Sequence, residues 1–402
     1  MKKDWEYKPF SDVIECLRTG LNPRVHFKLN TEDAQGYYIT VRELKGFTFE
    51  VDSKTDRINE TAIKRINERS NLKIGDVLFS GTGTIGRTAI VEEEPTWWNI
   101  KEGVYAITPR KDKLNSKYLI YLFKSNNILK SIYSKASGAT IRSIPMKELN
   151  KIIIPIPPLS EQKEIVEYLD SSFAKIDKLK ENAAKNLEEA KALFQSALKD
   201  ALEPKEGWEM KTLKEIGITQ TGTTPSKSDS ANYGNYMEFI RPSEIDFNGM
   251  GGINYNCELK LSEQGASNGR VFEEKSILMV CIGATIGKVG FSNKKISCNQ
   301  QINVLTPSSE YDYKFVYYSM KSPRFQKMVI KEGTSSQATL PIINKGKWEK
   351  LTVQVPSLQE QQSIVSFLDS LSEKVNTLQQ NCSRICNECD ALKQAILRQV
   401  FE

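Results

Sequence analysis

The chain has 402 residues, 39% of them hydrophobic and 26% charged, with a formal net charge of +6; it is long enough for two or more domains and ordinary in composition for a globular protein. The small basic excess fits a polyanionic partner without arguing for one. No window approaches the ~20 apolar residues of a membrane helix. The opening MKKDWEYKPF lacks the apolar stretch of a signal peptide, and the seven cysteines are spaced irregularly, unlike a secreted disulfide framework, so a reduced, cytoplasmic protein with no membrane association is expected.

Near the start stand WEYK from Trp5 and TGLNP at 19–23. Residues 76–91, DVLFSGTGTIGRTAIV, contain Gly81-Thr82-Gly83-Thr84-Ile85-Gly86. A dinucleotide-binding fingerprint of that form needs a strand, a tight turn and then a helix whose N-terminus faces the pyrophosphate. Here Gly86 is followed by RTAIVEEEP, a short β-like run, so the string predicts a glycine turn between two strands. Its functional alternative is a turn that brings its backbone and Arg87 to a phosphate. The β-branched runs at 103–107 and 151–156 predict strands, and KYLIYLFKSNNILKSIYS at 117–134 predicts a helix or two.

At 156–203 the pattern becomes long, polar and helical. Its seam positions are Ile165, Leu169, Ser172, Ile176 and Leu179, continued by Ala183, Asn186, Ala190, Leu193 and Ala197. Steps of three and four make a heptad seam, and Pro204 stops it. Such a helix runs roughly 43 residues, or about 65 Å.

The chain then repeats itself. WEMK returns at Trp208, TGTTP at 221–225, and SILMVCIGATIGK at 276–288, where the first glycine of the fingerprint is gone and Thr285-Ile286-Gly287-Lys288 remains. YKFVYYSMKSPRFQKMV at 313–329 predicts a helix or two, and 351–355 a strand. The second tail, from VPSLQEQQSIVSFLDS, carries Ile364, Leu368, Leu371, Val375, Leu378, Cys382, Ile385, Cys389, Leu392 and Ile396 on the same seam, behind a Ser357-x-x-Glu360 capping box. Larger residues there match alanines at the corresponding places in the first tail, which suits pairing of the two helices. Four segments are expected: 1–155, 156–203, 204–354 and 355–402.

Other chemistry is sparse. Cys382-x3-Cys386-x2-Cys389 has iron–sulfur spacing but falls on the seam, where cysteine packs as a small hydrophobe; no metal site is expected. His26 is the only histidine, which removes histidine-based triads and two-histidine metal sites. No P-loop, helicase, nuclease or amino-methyltransferase string is present, so the chain is not expected to be an enzyme. Basic residues do lie among glycine, polar and aromatic residues in the turn-rich parts. Arg24, Arg87, Arg142, Lys227, Arg241 and Lys288 are the candidate nucleic-acid contacts, together with Arg42, Arg270, Lys294 and Lys295.

Two diverged domains, each followed by P-x-L-x-E-Q-x-x-I-V-x-x-L-D at the head of a long helix, resemble the specificity subunit of type I restriction–modification systems. The matching residues are Pro157, Leu159, Glu161, Gln162, Ile165, Val166, Leu169 and Asp170, and Pro356, Leu358, Glu360, Gln361, Ile364, Val365, Leu368 and Asp369. The resemblance implies an α+β chain of two α/β-mixed target-recognition domains, separated by a pair of long antiparallel coiled-coil helices in an internal pseudo-two-fold repeat. Each domain would read one half of a bipartite, asymmetric double-stranded DNA target. The helices would dock two methyltransferase (M) subunits, and through them the restriction/translocase (R) subunits. S-adenosylmethionine, ATP and Mg would belong to those partners, with no cofactor in this chain. The expected helix interface comprises Ile165, Leu169, Ile176, Leu179, Leu368, Leu371, Val375, Leu378, Ile385 and Leu392. A coiled-coil scaffold joining two protein-binding domains, without a DNA role, is the competing reading.

Overall fold

The structure, a computed structural model, describes residues 5–245, 252–334 and 340–402. It divides into two compact units, Met1–Asn182 with Arg384–Glu402, and Ala183–Ser383. The first unit holds β1 (Glu6–Pro9), β2 (Ile14–Thr19), α1 (Pro23–His26), β3 (Gly36–Ile39), β4 (Arg57–Ile58), α2 (Glu60–Ser70), β5 (Val77–Ser80), β6 (Thr88–Ile90), β7 (Trp98–Ile100), β8 (Val104–Pro109), α3 (Ser116–Lys124), α4 (Asn126–Lys135), α5 (Met146–Leu149) and β9 (Ile153–Ile156). The long helix α6 (Leu159–Ala201) follows and contributes to both units. The second unit holds β10 (Glu209–Thr212), α7 (Leu213–Ile216), β11 (Gly217–Thr221), β12 (Tyr233–Ile240), β13 (Lys260–Leu261), α8 (Glu263–Asn268), β14 (Ile277–Val280), β15 (Val289–Phe291), β16 (Ser297–Cys298), β17 (Ile302–Pro307), α9 (Tyr313–Lys321), α10 (Pro323–Thr334), α11 (Lys345–Trp348) and β18 (Thr352–Val355). Helix α12 (Leu358–Phe401) closes the chain and is likewise shared.

Each unit carries the same three sheets. An antiparallel sheet runs β2-β8-β5-β6 in the first and β11-β17-β14-β15 in the second; a smaller one runs β4-β3-β7 and β13-β12-β16, with its last pair parallel; and β1-β9 matches β10-β18. The apolar runs VLFS and ILMV are buried throughout because their sheet is covered on both faces. Val77 and Phe79 point into one core and Leu78 into the other; Ile277 and Met279, against Leu278 and Val280, do the same.

The helical runs expected in the globular parts each form two helices, α3 and α4 in the first unit and α9 and α10 in the second. The first breaks at Ser125 and the second at Ser322, each serine hydroxyl donating to the carbonyl three residues back at 2.7 Å. A serine that bonds its own backbone competes with the helical ladder, and Pro323 cannot continue one.

The signature at the head of each long helix is a clasp. Gln162 is fully buried: its Oε1 accepts from the backbone N–H of Asn115 at 2.9 Å, and its Nε2 donates to Lys113 O at 2.8 Å and Pro157 O at 2.9 Å. Gln361 accepts from the N–H of Asp312 and donates to Pro356 O, both at 2.9 Å. Two turns on, Asp170 accepts from Tyr121 and pairs with Lys117, while Asp369 accepts from Tyr318 at 2.7 Å and pairs with Lys314. Burial raises the Tyr121 and Tyr318 hydroxyls above the usual phenol range, and the adjacent carboxylates add to it.

The helix seam departs from the strict heptad reading. It runs as expected through Ile165, Leu169 and Ile176, and through Leu368, Leu371 and Val375, all buried or half-buried. It then takes a step of four, so the inward positions become Lys180, Ala183, Leu187, Ala190 and Phe194 on α6, and Gln379, Cys382, Cys386, Cys389 and Lys393 on α12. Leu179 and Leu193 are 57% and 66% exposed, and Leu378 and Leu392 are exposed as well; Asn186 also faces out, while Ile385 stays half-buried. A straight helix turns in 3.6 residues, drifts from a 3.5 repeat, and restores its buried face with such a four-residue step.

Gln162→Ala is expected to lower stability by about 1–3 kcal/mol, because it strands the Asn115 N–H and two carbonyls. Urea unfolding of the purified chain checks this, with the exposed Glu181→Ala as the reference for a change under about 0.5 kcal/mol.

Candidate nucleic-acid interface

In each unit, four loops meet at one end of the four-stranded sheet. In the first, Gly103 N–H donates to Thr19 Oγ1 at 3.2 Å, Gly81 N–H to Gly103 O at 2.8 Å, and Gly83 N–H to Arg142 O at 2.9 Å. Those bonds join the TG loop after β2, the turn between β7 and β8, the glycine turn between β5 and β6, and the segment before α5. In the second, Gly222 N–H donates to Ile302 O at 2.9 Å, Cys281 N–H to Gln301 O at 2.8 Å, and Gly283 N–H to Pro341 O at 3.0 Å. The same four segments are thereby joined.

Two glycine requirements explain the repeated strings. A Cβ on Gly20 would lie 1.8 Å from Ile100 O, and one on Gly222 would lie 2.1 Å from Asn299 O, so the TG loops need glycine for close backbone approach. Gly86 and Gly287 have φ of +97° and +89°, which closes each turn before its basic residue. The expected strand–turn–strand form is what the structure holds, with the second turn one residue longer at Ala284.

Arg87 and Arg142 are both exposed on this end of the first unit. The Arg87 guanidinium reaches Val41 O at 3.3 Å. Arg24 lies in α1, just beyond the TG loop, with its side chain in solvent. Lys227 is exposed in the matching loop of the second unit, and Lys288 is half-buried on the second glycine turn. Arg241 differs from the other five. Its guanidinium is held by the buried Glu244 at 3.0 Å and by Glu258 at 3.6 Å. Burial alone would raise the Glu244 carboxyl, but its bonds from Arg241 and Ser243 hold it below the usual carboxylate range. Arg42 and the buried Glu43 form the equivalent pair in the first unit, at 2.7 Å. Arg241 is therefore braced by two carboxylates where it stands.

Sequence reasoning missed the turn between β7 and β8 and its counterpart between β16 and β17. It reads Lys101-Glu102-Gly103 in one unit and Asn299-Gln300-Gln301 in the other, after strand residues Ile100 and Cys298 that hold the same place in their sheets. Lys101, Glu102 and Gln300 are exposed. The available signal was a short stretch of unlike chemistry between two runs that do align. Arg270 also belongs here, donating to Thr221 O at 2.6 Å.

The cysteines at 382, 386 and 389 lie on the inward side of α12, and Cys281 and Cys298 are buried, the Cys281 thiol pushed up to about 12 by burial. Among the described residues no group of three or more His, Cys, Asp or Glu could hold a metal ion, and no helix is long and apolar enough to cross a membrane.

A duplicated α/β-mixed unit that presents polar and basic loops on a rigid frame defines a two-module recognition protein. The chain belongs to the family of the type I restriction modification DNA specificity domain, whose model matches it twice, over residues 2–189 and 205–384. It is 26% identical over 401 residues to a putative type I restriction enzyme MjaX specificity subunit of Methanocaldococcus jannaschii, covering 93% of this chain and 88% of that one. Its fold is that of a chain in a type I R-M system structure solved for complex assembly and conformational transition, at a TM-score of 0.74 and 18% identity, covering 100% of this chain and 98% of that one. The HsdS subunit from Thermoanaerobacter tengcongensis is similar at a TM-score of 0.56 and 17% identity, over 100% of this chain and 97% of the other.

Arg87→Ala and Lys288→Ala are each expected to weaken DNA binding by the assembled complex and to reduce its log–log salt slope by about one, with subunit assembly intact. Titrations at several salt concentrations measure both quantities; unchanged affinity and slope would remove these two residues from the interface.

Proposed function

We propose that this chain is the non-catalytic DNA-specificity subunit of a type I restriction–modification complex, with each unit reading one half of a bipartite, asymmetric target. The observation that carries the reading is the repeat: one topology, one set of four gathered loops, and unlike side chains on them. A shared frame with diverged loops reads two different half-sites, since base edges are distinguished by side-chain donors and acceptors. Asn299, Gln300 and Gln301 suit adenine edges, and Arg87, Arg142, Lys227 and Lys288 suit phosphates or guanine. Arg24 lies beside the first unit's TG loop and adds a cation there.

The two long helices pair antiparallel as a coiled coil that relates the domains by a pseudo-two-fold axis. Supporting this, the ion pairs Asp177 with Lys393 and Lys180 with Asp390, both inside the first unit, run in opposite residue order on α6 and α12. Methyl transfer from S-adenosylmethionine, and ATP- and Mg-dependent translocation, belong to the M and R subunits.

M subunits dock on the apolar stripe that the four-residue step leaves outside. At about 100° per residue, Tyr168, Leu179 and Leu193 fall within about 40° of one another around α6, and all three are exposed. Phe367, Leu378 and Leu392 repeat the same spacing on α12 and are also exposed. Two equal stripes suit two copies of one helical partner.

Co-expression with the cognate M subunit in a methylation-free host, followed by mapping of modified adenines, tests the function. A two-part motif with a fixed gap, lost when this chain is omitted, is the expected result; assembled proteins that leave no new motif would refute it. Leu179→Glu combined with Leu378→Glu is expected to abolish co-purification of M while changing the chain's own stability by less than about 0.5 kcal/mol. Retained co-purification would move docking off the stripe.

A further inference from the structure

Beside each glycine turn an aliphatic side chain stands in solvent. Ile141 is 63% exposed and Leu340 is 57% exposed. They hold the same place in the repeat, three residues before an isoleucine whose N–H closes onto the glycine turn. Ile144 N–H donates to Gly81 O in the first unit and Ile343 N–H to Cys281 O in the second, both at 2.9 Å. One exposed aliphatic needs no explanation. The same exposure at the same place, where the next residue has changed from Arg142 to Pro341, does.

The loop that carries Ile141 is tied down on itself, and the chain that follows Leu340 is bonded to its neighbours. Ser137 and Ser143 exchange both backbone hydrogen bonds, at 2.9 and 2.8 Å, and Thr82 Oγ1 meets Ser143 Oγ at 2.8 Å. Gly138 has φ of +114°, and a Cβ there would lie 2.1 Å from Ile141 O, so the tip is folded tightly against the residue that projects. In the second unit, Gly283 N–H donates to Pro341 O at 3.0 Å and Ile342 N–H to Gly333 O at 3.1 Å, fixing the chain just after Leu340. Cations accompany both: Arg142 follows Ile141 directly, and Arg87 and Lys288 stand on the two glycine turns.

We propose that Ile141 and Leu340 are apolar wedges, each pressed against the base stack of one half-site to open a base step, while the neighbouring cations hold the phosphates. The proposal rests on the DNA-reading function above and deepens it. An exposed aliphatic tip flanked by positive charge has the chemistry of side chains that unstack base steps. It would lower the energy of the distorted duplex that a methyltransferase needs when it extrudes its target base.

The test uses the full chain assembled with its M subunits and duplexes carrying the mapped motif, with 2-aminopurine placed at successive steps outside the methylated adenines. The wild-type complex is expected to raise fluorescence at one step in each half-site. Ile141→Ala should abolish the rise in one half-site and Leu340→Ala in the other, with affinity falling about tenfold and the salt slope unchanged, because no phosphate contact is lost. Ile141→Leu should restore the signal. A rise that survives both alanine variants overturns the wedge. So does an equal loss caused by deoxyuridine in place of thymine, which would mark a methyl contact instead. Binding of the motif no tighter than scrambled DNA by the wild-type complex is a different result: it rejects the specificity reading, and the wedge with it.

Discussion

A single buried amide fixes each long helix to its globular part. Gln162 has no water to bond, so its two donors and its carbonyl must find protein partners. It finds them on the cap of α3 and on the chain just before α6. Asp170 repeats the grip two turns later through Tyr121 and Lys117. One attachment would leave the helix free to pivot, whereas two set its direction relative to the sheet behind α3. Because the four loops hang from that sheet, the clasp relates the helix to the candidate interface within the unit. The second copy, at Gln361 and Asp369, does the same with independent partners.

Divergence is confined by this arrangement. The strands that carry the loops are packed on both faces, and substitution there leaves cavities or strain. The TG loops cannot accept a Cβ, and the glycine turns need positive φ. Freedom is left at the loop tips, where Lys101-Glu102-Gly103 is exchanged for Asn299-Gln300-Gln301 while the strands on either side keep their pairing. Even the acid that braces the smaller sheet is kept while its cation changes place: Glu43 takes Arg42 from one residue before it, and Glu244 takes Arg241 from three residues before it. Two units can therefore differ in what they read while remaining alike in how they hold it.

The repeat, the long helices and the strand–turn–strand nature of the glycine string were legible because they rest on periodicity and on what fails to follow Gly86. The roles of individual residues were less so. Gln162 and Asp170 read as a family signature, but their purpose depends on Asn115, Lys117 and Tyr121, 47 to 53 residues away in the chain. Arg241 looked like Arg87 in composition, and only the fold reveals the buried Glu244 beneath it. That the run could divide was open; where it divides, at Ser125, was not legible, because the apolar pattern continues across it and reports burial rather than backbone continuity.

The departure from a strict heptad bears on function. A 3.5 repeat assigns Leu179, Leu193, Leu378 and Leu392 to the seam, because leucine is what a seam wants. The helices instead turn lysine and glutamine inward, with Lys180 and Lys393 laying their stems along the helix face and their charges on Asp390 and Asp177. Leucine held in water at four matched positions, while Lys180, Gln379 and Lys393 take inner ones, is the reverse of what either helix alone would favour. The pattern is reconciled once the outer face also has a partner. Under the proposed function the outer stripe is the surface that M subunits would cover, while the inner face carries the ion pairs between the helices.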